Sequence, residues 1–153
     1  MEIEIVVKPI RFQLHGKWST VENRLYAEVG LRLMDAMWKA VKEANIQTTG
    51  INHWVYMADE RMFVGVEIKQ SQPSATAAPL EPFEFELRRY SKHVHVGPYH
   101  ELPQKWQSLK TLLASRGETI DFPSLEVYGH QCQDQDPSQA TTTILIALKP
   151  KAT

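Results

Sequence analysis

Glu126 is the residue whose type and surroundings most suggest ligand chemistry. It lies in the short apolar segment 125–129, where strand alternation puts Glu126 and Tyr128 on one face. A buried carboxylate is costly to desolvate, so it needs hydrogen-bond donors or a cation. Aromatic rings beside it suit a lipophilic cation, because cation–π attraction and charge pairing act together. The same carboxylate could hold water and act as a general base, or lie exposed on the sheet beside a Lys or Arg.

The segment that carries Glu126 has a counterpart earlier in the chain. Laid without gaps, residues 37–56 and 109–128 read as two copies of one unit. The matched pairs are Met37 and Leu109, Ala40 and Leu112, Val41 and Leu113, Val55 and Val127, and Tyr56 and Tyr128. Trp54 falls on Glu126, so an indole and a carboxylate occupy equivalent positions. The duplication predicts the scaffold, and the mismatch within it predicts the position of a ligand.

Other side chains are candidates for the same cleft. Candidate aromatic walls are Trp54, Tyr56, Phe122 and Tyr128, and Tyr90 lies on a preceding strand with either orientation open. Tyr99 follows the Gly97-Pro98 turn, where its hydroxyl could donate to a ligand or act as a general acid with Glu126, or its ring could pack over the turn. His95 is a further candidate donor. Trp18, Trp38 and Trp106 are expected in the core.

The histidines do not form a recognisable metal motif. His93 and His95 share one strand face, but a third ligand cannot be identified among His53, His100 and His130. The sequence has no HExxH motif and no paired cysteines, and Cys132 has no adjacent base. We therefore expect no metal and no cofactor.

The hydrophobic periodicity divides the chain into two similar halves. Residues 1–14 alternate as a strand with Pro9 at an edge or bulge, and residues 15–18 read as a turn. Residues 21–44 have helical spacing, with Ser19 or Thr20 as the cap. Residues 52–58 and 61–69 read as a hairpin. The second half repeats this order with a strand at 83–96, a helix at 102–115 and strands at 125–130 and 141–149.

These elements predict an α+β fold built from two strand-helix-strand-strand units. We expect one domain over residues 1–153, with one half at about 1–70, a linker at about 71–80 and a second half at about 81–150. The strands should join in a largely antiparallel sheet with two main helices. A ligand cleft is expected along the pseudo-twofold axis.

Composition argues against several partners. The net charge is −1 and the pI about 6.6, which gives no basic patch for nucleic acid. The N-terminal segment lacks the apolar run of a signal peptide, and no segment is long enough for a membrane helix. Cys132 is the single cysteine. These features predict a cytoplasmic protein with no direct nucleic acid contact and no membrane contact, and the candidate cleft makes a small organic ligand the expected partner.

The second half carries a family resemblance. The motif His95-Val96-Gly97-Pro98-Tyr99, a helix with Trp106 and Leu109, the strand Glu126-Val127-Tyr128 and a closing strand after Thr142 occur in this order. This pattern resembles the GyrI-like small-molecule-binding domain, which is also the effector-binding half of AraC-type and MerR-type multidrug regulators. The resemblance implies a pseudo-twofold fold in which the residue matching Glu126 lies at the base of an aromatic cleft and meets cationic or polar ligands.

Three functions follow from the resemblance. The first is a stand-alone protein that binds an amphipathic or cationic compound. The second is a hydrolase of strained, electrophilic xenobiotics with Glu126 as the base, since some relatives are similar to such enzymes. The third is a module that modulates DNA gyrase. The first strand begins at about residue 2, so we expect no DNA-binding helix-turn-helix and no transcriptional role for this chain alone.

Overall fold

The computed structural model describes residues 2–69, 79–129 and 137–151. The strands and the two main helices, in chain order, are β1 Glu4–Val6, β2 Ile10–Thr20, α1 Tyr26–Glu43, β3 His53–Tyr56, β4 Arg61–Val66, β5 Glu81–Leu87, β6 Tyr90–Val96, α2 Leu102–Ser115, β7 Ser124–Tyr128 and β8 Thr141–Ala147. Short 3₁₀ turns occur at Tyr99–Glu101 and Pro137–Gln139. Most of the predicted linker, together with Cys132 and His130, lies outside the described residues.

All eight strands form one antiparallel sheet in the order β1-β6-β8-β7-β3-β4-β2-β5. The units β2-α1-β3-β4 and β6-α2-β7-β8 each have the predicted order of elements, which confirms the α+β fold of two strand-helix-strand-strand units. The two units meet where β3 pairs with β7. None of the helices in the described part of the chain is long and apolar enough to cross a membrane.

The register at the junction has the symmetry of the duplication. Trp54 lies opposite Glu126, and the flanking pairs are His53 with Val127 and Val55 with Leu125. The offset that lays Trp54 on Glu126 also lays His53 on Leu125 and Val55 on Val127, so it converts each flanking pair into the other. The pseudo-twofold axis therefore passes through the Trp54–Glu126 pair, and the residues where the two copies differ most face each other on it.

The predicted turn at residues 15–18 is wrong, because β2 continues through it to Thr20. Gly16 makes this possible: a Cβ there would collide with the backbone of Val64 on β4, so only glycine allows the two strands to approach so closely. Ser19 and Thr20 remain paired with β4 and cannot cap the helix. The helix begins at Tyr26 rather than at residue 21, without a side-chain cap.

Two predicted long strands are each broken in two. β1 and β2 are separated by residues 7–9, which include Pro9, and β5 and β6 by residues 88–89. β1 and β5 are the two edge strands of the sheet. The chain passes almost directly from β1 to β2, which is next to β5, and from β5 to β6, which is next to β1. The sheet is therefore strongly curved. At the second break Arg89 donates to both carboxylate oxygens of Glu118, at 2.6 and 2.7 Å.

The curvature gives the sheet two different faces. The outer face carries both helices, with α1 burying Leu33 and Met37 and α2 burying Leu109 and Leu113. The inner face, opposite the helices, encloses a second core. This inner core contains Phe12, Leu14, Val55, Phe63, Leu87, Tyr90, Leu125, Leu145 and Ala147. Because side chains alternate along a strand, each strand residue faces either the helices or the inner core. The face of each candidate residue therefore decides whether it can lie near Glu126.

Candidate functional site

Glu126 lies in β7 on the outer face, beneath the two helices. Strand alternation puts Leu125 in the inner core and turns Glu126 toward α2. Its side chain is almost fully buried, with 3% exposure. The neighbouring residues in the strand, Leu125 and Val127, have no side-chain hydrogen-bond donor. The partners of the carboxylate are therefore side chains further away in the sequence or in the strand.

Three neutral donors hold the carboxylate. The Tyr56 and Tyr128 hydroxyls donate to Oε1, each at 2.7 Å, and the Trp106 indole Nε1 donates to Oε2 at 2.6 Å. A carboxylate accepts about four hydrogen bonds, so roughly one acceptor position remains. Within the described residues Glu126 forms no ion pair. The site is therefore a buried carboxylate whose described partners are all neutral hydrogen-bond donors.

The two tyrosines remain proton donors. Burial raises the pKa of the Tyr56 hydroxyl well above its usual range, and the neighbouring charge of Glu126 raises it further. Burial and then Glu126 likewise raise the pKa of Tyr128. An anionic phenolate beside a buried carboxylate is strongly disfavoured. Both hydroxyls are therefore protonated at physiological pH and serve as fixed hydrogen-bond donors.

Aromatic rings surround the carboxylate and contact one another by their edges. Ring centroids are 5.5 Å apart for Tyr26–Tyr56, Tyr56–Trp106 and Trp54–Tyr128, and 5.3 Å for Tyr99–Tyr128. We call this set the aromatic cluster: Tyr26, Trp54, Tyr56, Tyr99, Trp106 and Tyr128. Tyr26, Tyr56, Trp106 and Tyr128 are half-buried. The aromatic cluster therefore surrounds the buried carboxylate with rings that are only partly exposed to solvent.

The structure brings together four of the aromatic residues that the sequence nominated alongside Glu126. Trp54 lies opposite Glu126, Tyr56 and Tyr128 bond to it, and Tyr99 contacts the Tyr128 ring. Tyr99 is 44% exposed, and burial of its hydroxyl raises its pKa.

Three nominated residues lie elsewhere. Tyr90 belongs to the inner core, on the opposite face of the sheet from Glu126, because its position in β6 differs in parity from that of His93 and His95. Phe122 is 45% exposed and lies outside the ring contacts of the aromatic cluster. His95 is on the outer face but approaches Glu101, with His95 Nε2 3.4 Å from Glu101 Oε1.

Two members of the aromatic cluster were missed or misassigned. Trp106 was expected in the core, yet its indole binds Glu126. The duplication contained a signal for it, since the offset that lays Trp54 on Glu126 also lays Met34 on Trp106. The indole that stands in the second copy where the first has methionine is thus a second difference between the halves, and it contacts the carboxylate of the first. Tyr26, at the start of α1, carried no comparable signal.

Metal binding gains no support from the described residues, since no group of three His, Cys, Asp or Glu side chains lies close enough together to hold an ion. His93 and His95 are buried next to each other on β6, but His93 Nδ1 contacts the Glu2 carbonyl at 2.6 Å. The Nε2 atoms of both rings are buried without a hydrogen-bond partner among the described residues, although His95 Nε2 lies 3.4 Å from Glu101 Oε1.

Gly30 determines how closely α1 approaches Trp54. A Cβ at Gly30 would overlap the benzo edge of the Trp54 ring, so the helix packs directly on the indole. Alanine is favoured over glycine in a helix by about 1 kcal/mol, but overpacking a core costs about 1–3 kcal/mol. The Gly30→Ala change should therefore lower the free energy of unfolding on the order of 1 kcal/mol, against helix propensity.

A double-mutant cycle with Trp54→Leu isolates this contact. In the Trp54→Leu background the overlap is removed, so Gly30→Ala should become neutral or stabilising by up to about 1 kcal/mol. Urea denaturation of the four proteins measures the coupling. An equal loss in both backgrounds would show that Gly30 is not there to accommodate the indole.

The chain is similar to known proteins over most of its length. A family model described as the GyrI-like small molecule binding domain matches residues 21–149. Among curated proteins no match was found.

Solved structures match over nearly the whole chain. The C-terminal domain of EcmrR has a TM-score of 0.67 and 15% identity, with 97% of this chain and 99% of that one covered. SAV2435 bound to tetraphenylphosphonium has a TM-score of 0.66 and 15% identity, with 97% and 94% covered. A hydrolase from Listeria innocua has a TM-score of 0.58 and 10% identity, with 97% and 92% covered. At such identities the likeness concerns the fold alone.

Proposed function

Because the chain belongs to the GyrI-like small-molecule-binding family, we propose that it binds a lipophilic organic cation between its two helices, with Glu126 as the counter-charge. The observation that carries this proposal is the buried carboxylate of Glu126, which is held by three neutral donors and has no ion-pair partner in the part of the chain that the structure describes. A bound cation would neutralise the one formal charge at the centre of the aromatic cluster.

The aromatic cluster supports a ligand of this class. Its rings contact one another by their edges, and each can turn a face toward a bound cation, which attracts the cation through the ring quadrupole. The rings touch in the structure, so a ligand would exchange ring–ring contacts for ring–ligand contacts. The four half-buried rings form the surface through which it would enter. A solved structure of similar fold, that of SAV2435, holds tetraphenylphosphonium, a cation with this chemistry.

The contacts of Glu126 favour binding over hydrolysis. A general base needs a water molecule within hydrogen-bond distance, and direct protein donors already occupy three of about four acceptor positions. Tyr99, the nominated acid, reaches the carboxylate only by way of the Tyr128 ring. The gyrase-modulating alternative stays a prediction from the resemblance.

A pair of probes of similar shape and different charge tests the proposal. Methyltriphenylphosphonium should bind the protein at least about tenfold more tightly than neutral triphenylphosphine oxide, because only the cation gains both charge pairing and cation–π attraction. Isothermal titration calorimetry of both compounds measures the difference. Equal affinity for the two would mean that the aromatic cluster is a nonpolar pocket without charge selection, and the proposal would fail.

A further inference from the structure

The inner face of the sheet contains a cavity that lies apart from Glu126. Its volume is about 320 Å³, and its apolar lining comes from Phe12 on β2, Val127 on β7 and Leu145 on β8, with Tyr90 from β6. Val127 and Glu126 are neighbours in one strand and point to opposite faces. The sheet itself therefore separates this inner-face cavity from the aromatic cluster.

Two exposed charges lie at different sides of the inner-face cavity. Lys92 is in β6, and Glu67 directly follows β4, so that β8, β7 and β3 separate them in the sheet. In the described part of the chain neither takes part in an ion pair. Across residues 2–69, 79–129 and 137–151, the cation at one side and the anion at the other are thus both without an ion-pair partner.

The remaining polar groups of the inner-face cavity are neutral. His53 is buried, and its Nδ1 contacts the Ile51 carbonyl at 3.1 Å. Burial lowers the pKa of His53 despite the nearby charge of Glu67, which keeps the ring uncharged at neutral pH. Thr143 contributes a half-buried side chain. Glu67 and Lys92 are therefore the charges that a ligand would meet.

We infer that the inner-face cavity is a second ligand site, which takes a small zwitterion with an apolar body, its ammonium group toward Glu67 and its carboxylate toward Lys92. The volume lies within the range of about 300–1,000 Å³ that is typical of small-molecule sites. An apolar body is favoured by Phe12, Leu145 and Val127. A ligand with a single charge would leave one of the two protein charges unpaired, whereas a zwitterion pairs both.

The probe for this site is 4-(aminomethyl)benzoate, which has a flat apolar ring between an ammonium and a carboxylate. The matched compounds 4-methylbenzylamine and 4-methylbenzoate each keep the ring and only one of the charges. The zwitterion should bind the wild-type protein about fivefold more tightly than either, since each exposed charge pair contributes up to about 1 kcal/mol. Nuclear magnetic resonance titration measures these weak affinities.

Variants locate the binding. Lys92→Met and Glu67→Gln should each weaken the zwitterion about fivefold, and Lys39→Met, which removes an exposed lysine on α1, should leave it unchanged. Thr143→Trp fills the inner-face cavity from a half-buried strand position and should abolish binding. Circular dichroism verifies that each variant is folded. If Thr143→Trp does not fold, the two charge variants alone test the inference.

The Glu126→Gln protein separates this site from the proposed cation site. It should bind 4-(aminomethyl)benzoate as the wild-type protein does, whatever happens to tetraphenylphosphonium. No binding to the wild-type protein, equal affinity for the singly charged compounds, or loss of binding in Glu126→Gln together with retention in the charge variants would each overturn the inference.

Discussion

Glu126→Gln should weaken tetraphenylphosphonium binding by about a hundredfold or more, because it removes the one buried charge that faces the ligand. Glutamine keeps the size and planar shape of the side chain. Its carbonyl can accept from the Trp106 indole, and its amide can donate to the Tyr56 and Tyr128 hydroxyls, which rotate. The variant should therefore fold with the aromatic cluster in place, so that the measurement reports charge rather than packing.

The matched control for this variant is Glu43→Gln. Glu43 is an exposed carboxylate at the end of α1, and its loss changes the net charge of the protein by the same amount. We expect it to leave the affinity nearly unchanged, since exposed charges are screened by salt within about 10 Å. Isothermal titration calorimetry at one salt concentration compares the three proteins. Retained affinity in Glu126→Gln, or an equal loss in Glu43→Gln, would remove the charge-pairing explanation.

The double change Tyr56→Phe with Tyr128→Phe should lower the free energy of unfolding on the order of 3 kcal/mol, since each hydroxyl donates to a buried charged group. The rings and their edge contacts are retained, so packing changes little. The loss comes from leaving the Glu126 carboxylate with the Trp106 indole as its remaining donor. Urea denaturation at neutral pH measures it.

The origin of this loss is tested in a Glu126→Leu background. Without the carboxylate the two hydroxyls have no acceptor there, so the same double change should cost much less or become favourable. Tyr99→Phe is the control for removing a tyrosine hydroxyl, and it should stay within about 0.5 kcal/mol because Tyr99 is largely exposed. A loss of equal size in both backgrounds would show that the hydroxyls stabilise something other than Glu126.

The duplication allowed the central part of the fold to be predicted from sequence. A gapless offset between the copies placed Trp54 over Glu126, and the β3–β7 register puts those two residues opposite each other. Antiparallel pairing across a pseudo-twofold axis must obey such an offset, but many residue pairs satisfy it, and only the structure shows that the axis passes through Trp54 and Glu126. The family match over residues 21–149 confirms the resemblance that the sequence suggested.

What could not be predicted depends on contacts between distant segments. The local sequence around Gly16 predicts a turn, but Gly16 lies inside β2. Glycine is required there because the backbone of Val64, on the neighbouring strand, leaves no room for a side chain. The orientation of Tyr90 stays open in the sequence, and only the pairing of its strand with β8 and its packing in the inner core assign it to the face opposite Glu126. Trp106 bonds to Glu126 across an interface between helix and sheet, which helical periodicity alone cannot distinguish from ordinary core packing.

The most direct test of the central claim is a crystal structure of the protein with tetraphenylphosphonium. We predict that the phosphonium lies between α1 and α2, with ring centroids of the aromatic cluster within about 6 Å of it and Glu126 as the nearest carboxylate. The hydrogen bonds to Glu126 should be rearranged around the cation. A ligand found in the inner-face cavity or on the surface, with Tyr56, Trp106 and Tyr128 still bonded to Glu126, would contradict the proposed function.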